Sequence, residues 1–264
     1  MNRYWGWVIG LLVGVGVTGM ASLKAGGADT GDLLRQAKEA MALQNYNEAL
    51  QKAQQVLETK PAENVADEAK DILGQAHASL GNPLQAYEIL KDLVTRRPEY
   101  ARRKDTVRQL AIAARESAGP EDFIKYSELA ISLFQASGET KLENEHLFML
   151  AMYYRNQQHL RNQDRSDWQV NQVDGAIRAI HSLDRVLASK ASMEDQIAAC
   201  QQKSDIMMQS HASFANVPKE KWPAGVEFPY DVSKPLDLAI QFQEEIVKRF
   251  PEQPSAASAM IQIA

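Results

Sequence analysis

Ala49–Pro61 reads ALQKAQQVLETKP, and the fold follows from how this stretch recurs. The same layout returns at Ala86–Pro98, AYEILKDLVTRRP, and at Ala239–Pro251, AIQFQEEIVKRFP. Each copy opens on alanine and closes on proline twelve positions later. An apolar pair stands seven and eight positions in: Val56 and Leu57, Leu93 and Val94, Ile246 and Val247. That spacing lays one apolar stripe along a helix. The proline ends it, because the residue before a proline is pushed out of the helical region. The first two copies lie 37 residues apart, measured at Ala49 and Ala86 or at Pro61 and Pro98. Self-similarity at a fixed period marks a repeat architecture.

The neighbouring segments complete the unit. Asp32–Gln44 predicts a helix with Leu33, Ala37, Ala40 and Met41 on one face, and Asn47–Thr59 predicts the next. Glu63–Leu80 predicts a third, with Ala66, Ala69, Ile72, Leu73, Ala76 and Leu80 on its buried side. Gly81 suits the end of that helix, Asn82 the cap of the following one, and Pro83 its first turn. The pattern is helix, tight turn, helix, proline, twice over.

Downstream the pattern loosens. Asp105–Ser117 and Pro120–Ala136 read as a further pair, closed by Gly138 rather than a proline. Lys141–Gln158 is amphipathic and dense in large residues, Asn156–Asp167 is polar and reads as a loop or a frayed helix end, and Val170–Ser189 and Ala191–Phe214 read as long helices. Asn216–Pro235 holds Pro218, Pro223, Pro229 and Pro235, which predicts a non-helical insert. The expected organisation is 1–28 as a leader or anchor, 29–136 as regular repeats, 137–215 as divergent helical pairs, 216–235 as the insert and 236–264 as a resumed repeat. The last stretch, SAASAMIQIA, begins a first helix without the polar face of a capping helix. It predicts a truncated repeat belonging to a longer repeat protein.

These features resemble tetratricopeptide repeats (TPR), whose units of about 34 residues pair two antiparallel helices. Leu73-Gly74, Ala86 and Pro98 match that pattern in one unit, and Tyr46, Ala49 and Pro61 in the preceding one. The resemblance implies an all-α, TPR-like α-solenoid that binds proteins and catalyses nothing. It implies a concave surface lined by the first helix of each pair. Through the match, Lys38, Asp71, Gln75, Arg108 and Arg115 are the partner-binding candidates there, or else a solvated helix face. The turn RFPEQPSAASA, Arg249–Ala259, is also similar to repeats of bacterial envelope proteins, namely the lipoprotein of the β-barrel assembly machinery and the Tol-Pal coordinator.

The N-terminus points to the same compartment. After Arg3 come twenty uncharged residues, Tyr4–Leu23, then Lys24. A basic start, a short apolar stretch broken by Gly10, Gly14 and Gly16, and the small residues Gly19-Met20-Ala21 or Gly26-Gly27-Ala28 describe a cleavable signal peptide. The same twenty residues, with Trp5 and Trp7 at an interface, also suit an uncleaved membrane anchor. Either sends the rest of the chain out of the cytoplasm. Ala25–Gly31 reads as a linker.

Composition narrows the chemistry. The chain has 264 residues, a net charge of −5 with mixed signs, and one cysteine. That balance lacks the basic footprint of a nucleic-acid binder, and Cys200 has no intramolecular partner and reads as a core thiol. The histidines, His77, His146, His159, His181 and His211, form no HExxH, and no phosphate loop or nucleophile elbow occurs, so no cofactor is expected. Asn144-Glu145-His146 reads as surface polarity at a helix start. Met149, Met152, Met193, Met207 and Met208 read as adaptable core packing rather than a soft-metal site, and Tyr153, Tyr154 and Trp168 as helix-packing aromatics or else the lining of a groove. The expected function is an exported scaffold or adaptor of the cell envelope. The alternatives are a membrane-anchored accessory subunit and the helical part of a longer enzyme.

Overall fold

The structure, a computed structural model, describes residues 29–160 and 167–263. Tyr4–Leu23, expected to be a signal or anchor, lies outside the described residues. The described residues form eleven α-helices and no β-strand. They are α1 Thr30–Ala42, α2 Tyr46–Glu58, α3 Glu63–Ser79, α4 Pro83–Arg96, α5 Lys104–Ser117 and α6 Pro120–Ser137. Then come α7 Thr140–Arg155, α8 Trp168–Ala188, α9 Met193–Asn216, α10 Pro235–Arg249 and α11 Pro254–Ile263. Each helix packs chiefly on its neighbours in the chain, which makes an all-α solenoid of antiparallel pairs. The first helices α1, α3 and α5 also pack on one another in sequence, so one side of the solenoid is lined by them.

The recurring stretch explains the stacking. In each copy the first member of the apolar pair is fully buried (Val56, Leu93, Ile246) and the second is half-buried. Val56 packs between Leu33 of α1 and Ala69 of α3. Ile246 packs between Cys200 of α9 and Ala259 of α11, the same place in a later unit. Burying such a side chain contributes roughly 1.5–3 kcal/mol, and Val56 and Ile246 each join their own pair to the next. The opening alanines Ala49, Ala86 and Ala239 are buried where a larger side chain would hold the helices apart.

The tight turns repeat as well. Gln44 and Gly81 both adopt positive φ, 58° and 75°, after the last residues of α1 and α3. The following amides, of Asn45 and Asn82, donate to Ala40 and His77 carbonyls, closing the helix ends in the left-handed form that glycine tolerates best. Asn82 makes no side-chain cap on α4, contrary to the sequence expectation, because this backbone closure already sets the turn. α1 starts at Thr30, inside the expected linker, with the Asp29 carboxylate accepting from the Gly31 amide at 3.2 Å.

The insert between α9 and α10 is irregular apart from one 3-10 turn at Lys219–Lys221. Its aromatics lie back on the pair in a chain of ring contacts. Phe214 to Trp222 is 5.5 Å, Trp222 to Phe228 5.8 Å, Phe228 to Tyr230 5.2 Å and Tyr230 to Phe242 5.1 Å. Beneath them Lys203 is almost fully buried. Its Nζ lies 2.6 Å from Asp184 Oδ1 and donates to Tyr230 Oη at 2.8 Å, while the Tyr230 hydroxyl donates to Asp184 Oδ1 at 2.7 Å. A buried ammonium with both partners in place holds the insert to α8 and α9.

Candidate functional site

The solenoid has an open groove between the first helices α5, α7 and α9. α1, α3 and α5 pack on one another more closely than α5 packs on α7, where side chains form a bridge. Arg108 Nη2 of α5 lies 3.2 Å from Glu145 Oε2 of α7. Beside this bridge runs a groove of about 650 Å³. Its walls are Arg115 and Glu116 of α5 and Gln202 of α9, and its floor is Phe148, Met149, Met152 and Tyr153 of α7. Met152 is half exposed, Phe148 and Met149 are half-buried, and Tyr153 is buried against Phe123, ring centroids 4.3 Å apart. The groove therefore has a soft apolar floor on one helix and a polar rim on two others.

The rim charges are already paired. Arg115 Nη2 lies 3.0 Å from Glu116 Oε1, and Arg115 Nη1 lies 3.6 Å from the Met149 sulfur. Of the five residues singled out in the sequence, Arg115 alone lines this groove, and Arg108 borders it through Glu145. Lys38 pairs with Glu68 across α1 and α3. Asp71 is buried, accepting from Thr106 Oγ1 at 2.7 Å and Gln75 Nε2 at 2.9 Å, with Arg103 Nη1 at 3.2 Å. Asp71 thus ties α3 to the start of α5, and Gln75 supports it from within α3.

Several sequence expectations change here. Met149 and Met152 line the groove, Met149 while also packing against the core, and Met207 is buried as expected. α7 carries large residues almost all round, so hydropathy could not separate its groove side from its packed sides. The second is Asn144-Glu145-His146, where only Glu145 faces the groove. Asn144 is buried, donating to Asp195 Oδ2 at 3.1 Å and accepting from Ser189 Oγ at 3.0 Å. His146 is fully buried beside Phe134, centroids 5.6 Å apart, and neither ring nitrogen has a hydrogen-bond partner. Burial pushes its pKa down to about 4, with the Arg108 charge adding to the effect. Trp168, expected to pack between helices, is mostly exposed at the start of α8.

Cys200 is fully buried, and burial, with Glu245 nearby, pushes its thiol up to about 11. A thiol held protonated in this way packs as a small apolar side chain. Among the described residues no group of three or more His, Cys, Asp or Glu stands close enough to hold a metal ion. Among them, too, no helix is long and apolar enough to cross a membrane.

Fold and groove together define an all-α solenoid of antiparallel helix pairs with an open apolar groove between first helices. No family model and no curated protein matches the chain. Among solved structures it is similar to TTC0263, a thermophilic TPR protein of Thermus thermophilus. The identity is 19% and the TM-score 0.31, over 88% of this chain and 99% of that one.

Proposed function

We propose that the chain is a protein-binding scaffold that takes its partner in the groove between α5, α7 and α9. The observation that carries this reading is the open floor of Phe148, Met149 and Met152 between α5, α7 and α9. Unbranched methionines repack around different apolar side chains, which suits a recognition surface. Arg108 and Arg115 remain partner-binding candidates at its rim, but their charges are matched within the chain. The main contribution is therefore expected from apolar contact rather than from salt links. No catalytic step is assigned.

A photo-reactive phenylalanine analogue at position 152 tests the groove, with the same analogue at position 43 as control. The Leu43 position is also exposed but lies on the turn after α1. Protein cross-links from 152 that vanish with Met149→Glu support the reading. Equal cross-links from both positions, or cross-links unaffected by Met149→Glu, refute it.

We further propose that the scaffold works in the cell envelope, delivered or anchored by Tyr4–Leu23. The motivation is the uncharged run behind Arg3. Cell fractionation tests it, and recovery of the whole chain in the cytosolic fraction would sink it.

A further inference from the structure

Glu143, in the first turn of α7, is a carboxylate taken out of water without a donor. The residue is only 7% exposed, and its side chain makes no hydrogen bond or ion pair with any described residue. It faces a cleft of about 130 Å³, shared with Gln135 of α6, Arg185 and Ala188 of α8, and Ser189 just beyond α8. Burying a carboxylate in this way is costly unless something donates to it. The cleft is separate from the groove described above. Glu145 lines the groove, and Glu143, two residues earlier, stands about 200° round the helix from it.

The groups around Glu143 select a cation. Arg185 does not neutralise it, because Arg185 Nη1 and Nη2 donate to the two oxygens of Glu128 at 2.7 and 2.9 Å. That pair is closed, and the Glu143 charge is left over. Arg185 and Ala188 belong to the last turn of α8, and Gln135 to the last turn of α6. Helix C-termini carry partial negative charge and favour a cation nearby. The Ser189 hydroxyl donates to Asn144 Oδ1 at 3.0 Å, which leaves its oxygen free to accept. A divalent metal ion is a poor match, since it collects several oxygens and Glu143 is the one unpaired carboxylate lining the cleft. An ammonium is a compact head with three donors and suits acceptors set around a small space. The planar fork of a guanidinium suits it less.

We propose that this cleft takes the ammonium of a lysine side chain presented by a protein partner. The ammonium donates to the Glu143 carboxylate, to Gln135 Oε1 and to Ser189 Oγ, and the lysine stem lies along Ala188. A cleft of this size admits one side chain and no helix or strand, so it supplies a single charge-assisted anchor. It does so on a different side of α7 from the apolar groove, and a chain whose groove bound nothing would still take a lysine here.

Titration of the full chain with butylammonium chloride and with acetyl-lysine methylamide, at matched ionic strength and followed by amide NMR, tests the proposal. Both should give saturable shifts at the Glu143 and Ser189 amides, with Kd in the millimolar range expected of one side chain. Glu143→Gln should weaken both by about tenfold or more. Glu121→Gln, at the exposed start of α6, should weaken neither. Since no described residue pairs with the carboxylate, Glu143→Gln should melt no lower than wild type. Absence of a saturable shift overturns the proposal, as do shifts that persist in Glu143→Gln. Tighter binding of the arginine analogue overturns the choice of an ammonium, and butylammonium binding without the lysine amide overturns the choice of a partner's side chain. A lower melting point for Glu143→Gln overturns it too, because the carboxylate would then already have a partner within the chain.

Discussion

Lowering the pH should loosen this solenoid at His146 before it affects any surface charge pair. The ring is fully buried on α7, faces Phe134 of α6, has Arg108 of α5 nearby, and finds no partner for either nitrogen. Its pKa lies at about 4, against the ordinary 6.5 of an exposed imidazole. The folded chain therefore holds fewer protons than the unfolded chain between these values, and stability rises with pH across the interval. The full contribution is present above pH 6.5 and is lost as the pH falls through 4. The whole gap is worth about 3.4 kcal/mol, of which about 2 kcal/mol has gone by pH 5. His146→Leu removes the titration and leaves an apolar side chain in an apolar site. Urea unfolding followed by circular dichroism at pH 7.5 and pH 5 measures both proteins. Wild type should lose about 2 kcal/mol more than the variant between the two conditions. Equal losses would refute the assignment, as would an imidazole resonance of His146 titrating near 6.5.

Two further substitutions probe the packing. A Cβ at Gly74 would lie 2.4 Å from Leu90 Cδ2, and one at Gly175 would lie 2.5 Å from the Tyr154 carbonyl oxygen. Leu90 can turn, so Gly74→Ala should cost about 1–3 kcal/mol less the gain in helix propensity. A backbone carbonyl cannot turn aside, so Gly175→Ala should cost more, and thermal melts showing the reverse order would contradict the close approach of α8 to the end of α7. Lys203→Met leaves Asp184 and Tyr230 without their buried cation, and should destabilise the chain by about 3–5 kcal/mol. Lys203→Met together with Asp184→Leu should recover much of that, and a double variant no better than the single would show that the pair does not act as a unit.

The repeat is written in the amino-acid order alone. Alanine, apolar pair and proline at fixed spacing are local demands of one amphipathic helix with a stop, and a 37-residue recurrence leaves stacked pairs as the way to bury every copy. Gly74 is legible as part of a Leu-Gly pair, although its reason, the face of Leu90, belongs to the neighbouring helix. Where the stack stays open is a matter of tertiary packing. Met149, Met152 and Met207 are chemically alike, yet two on α7 line a groove and one on α9 is buried in the core, because that depends on how the helices stand against one another. His146 and Asn144 read as surface polarity; His146 is buried against Phe134 of α6, and Asn144 against Ser189 and Asp195 at the α8–α9 turn. Asp71 and Lys38 read as available and are engaged by residues about thirty positions away. Periodicity records which side of a helix is apolar. Which apolar side remains uncovered is set by distances between helices that no local pattern encodes.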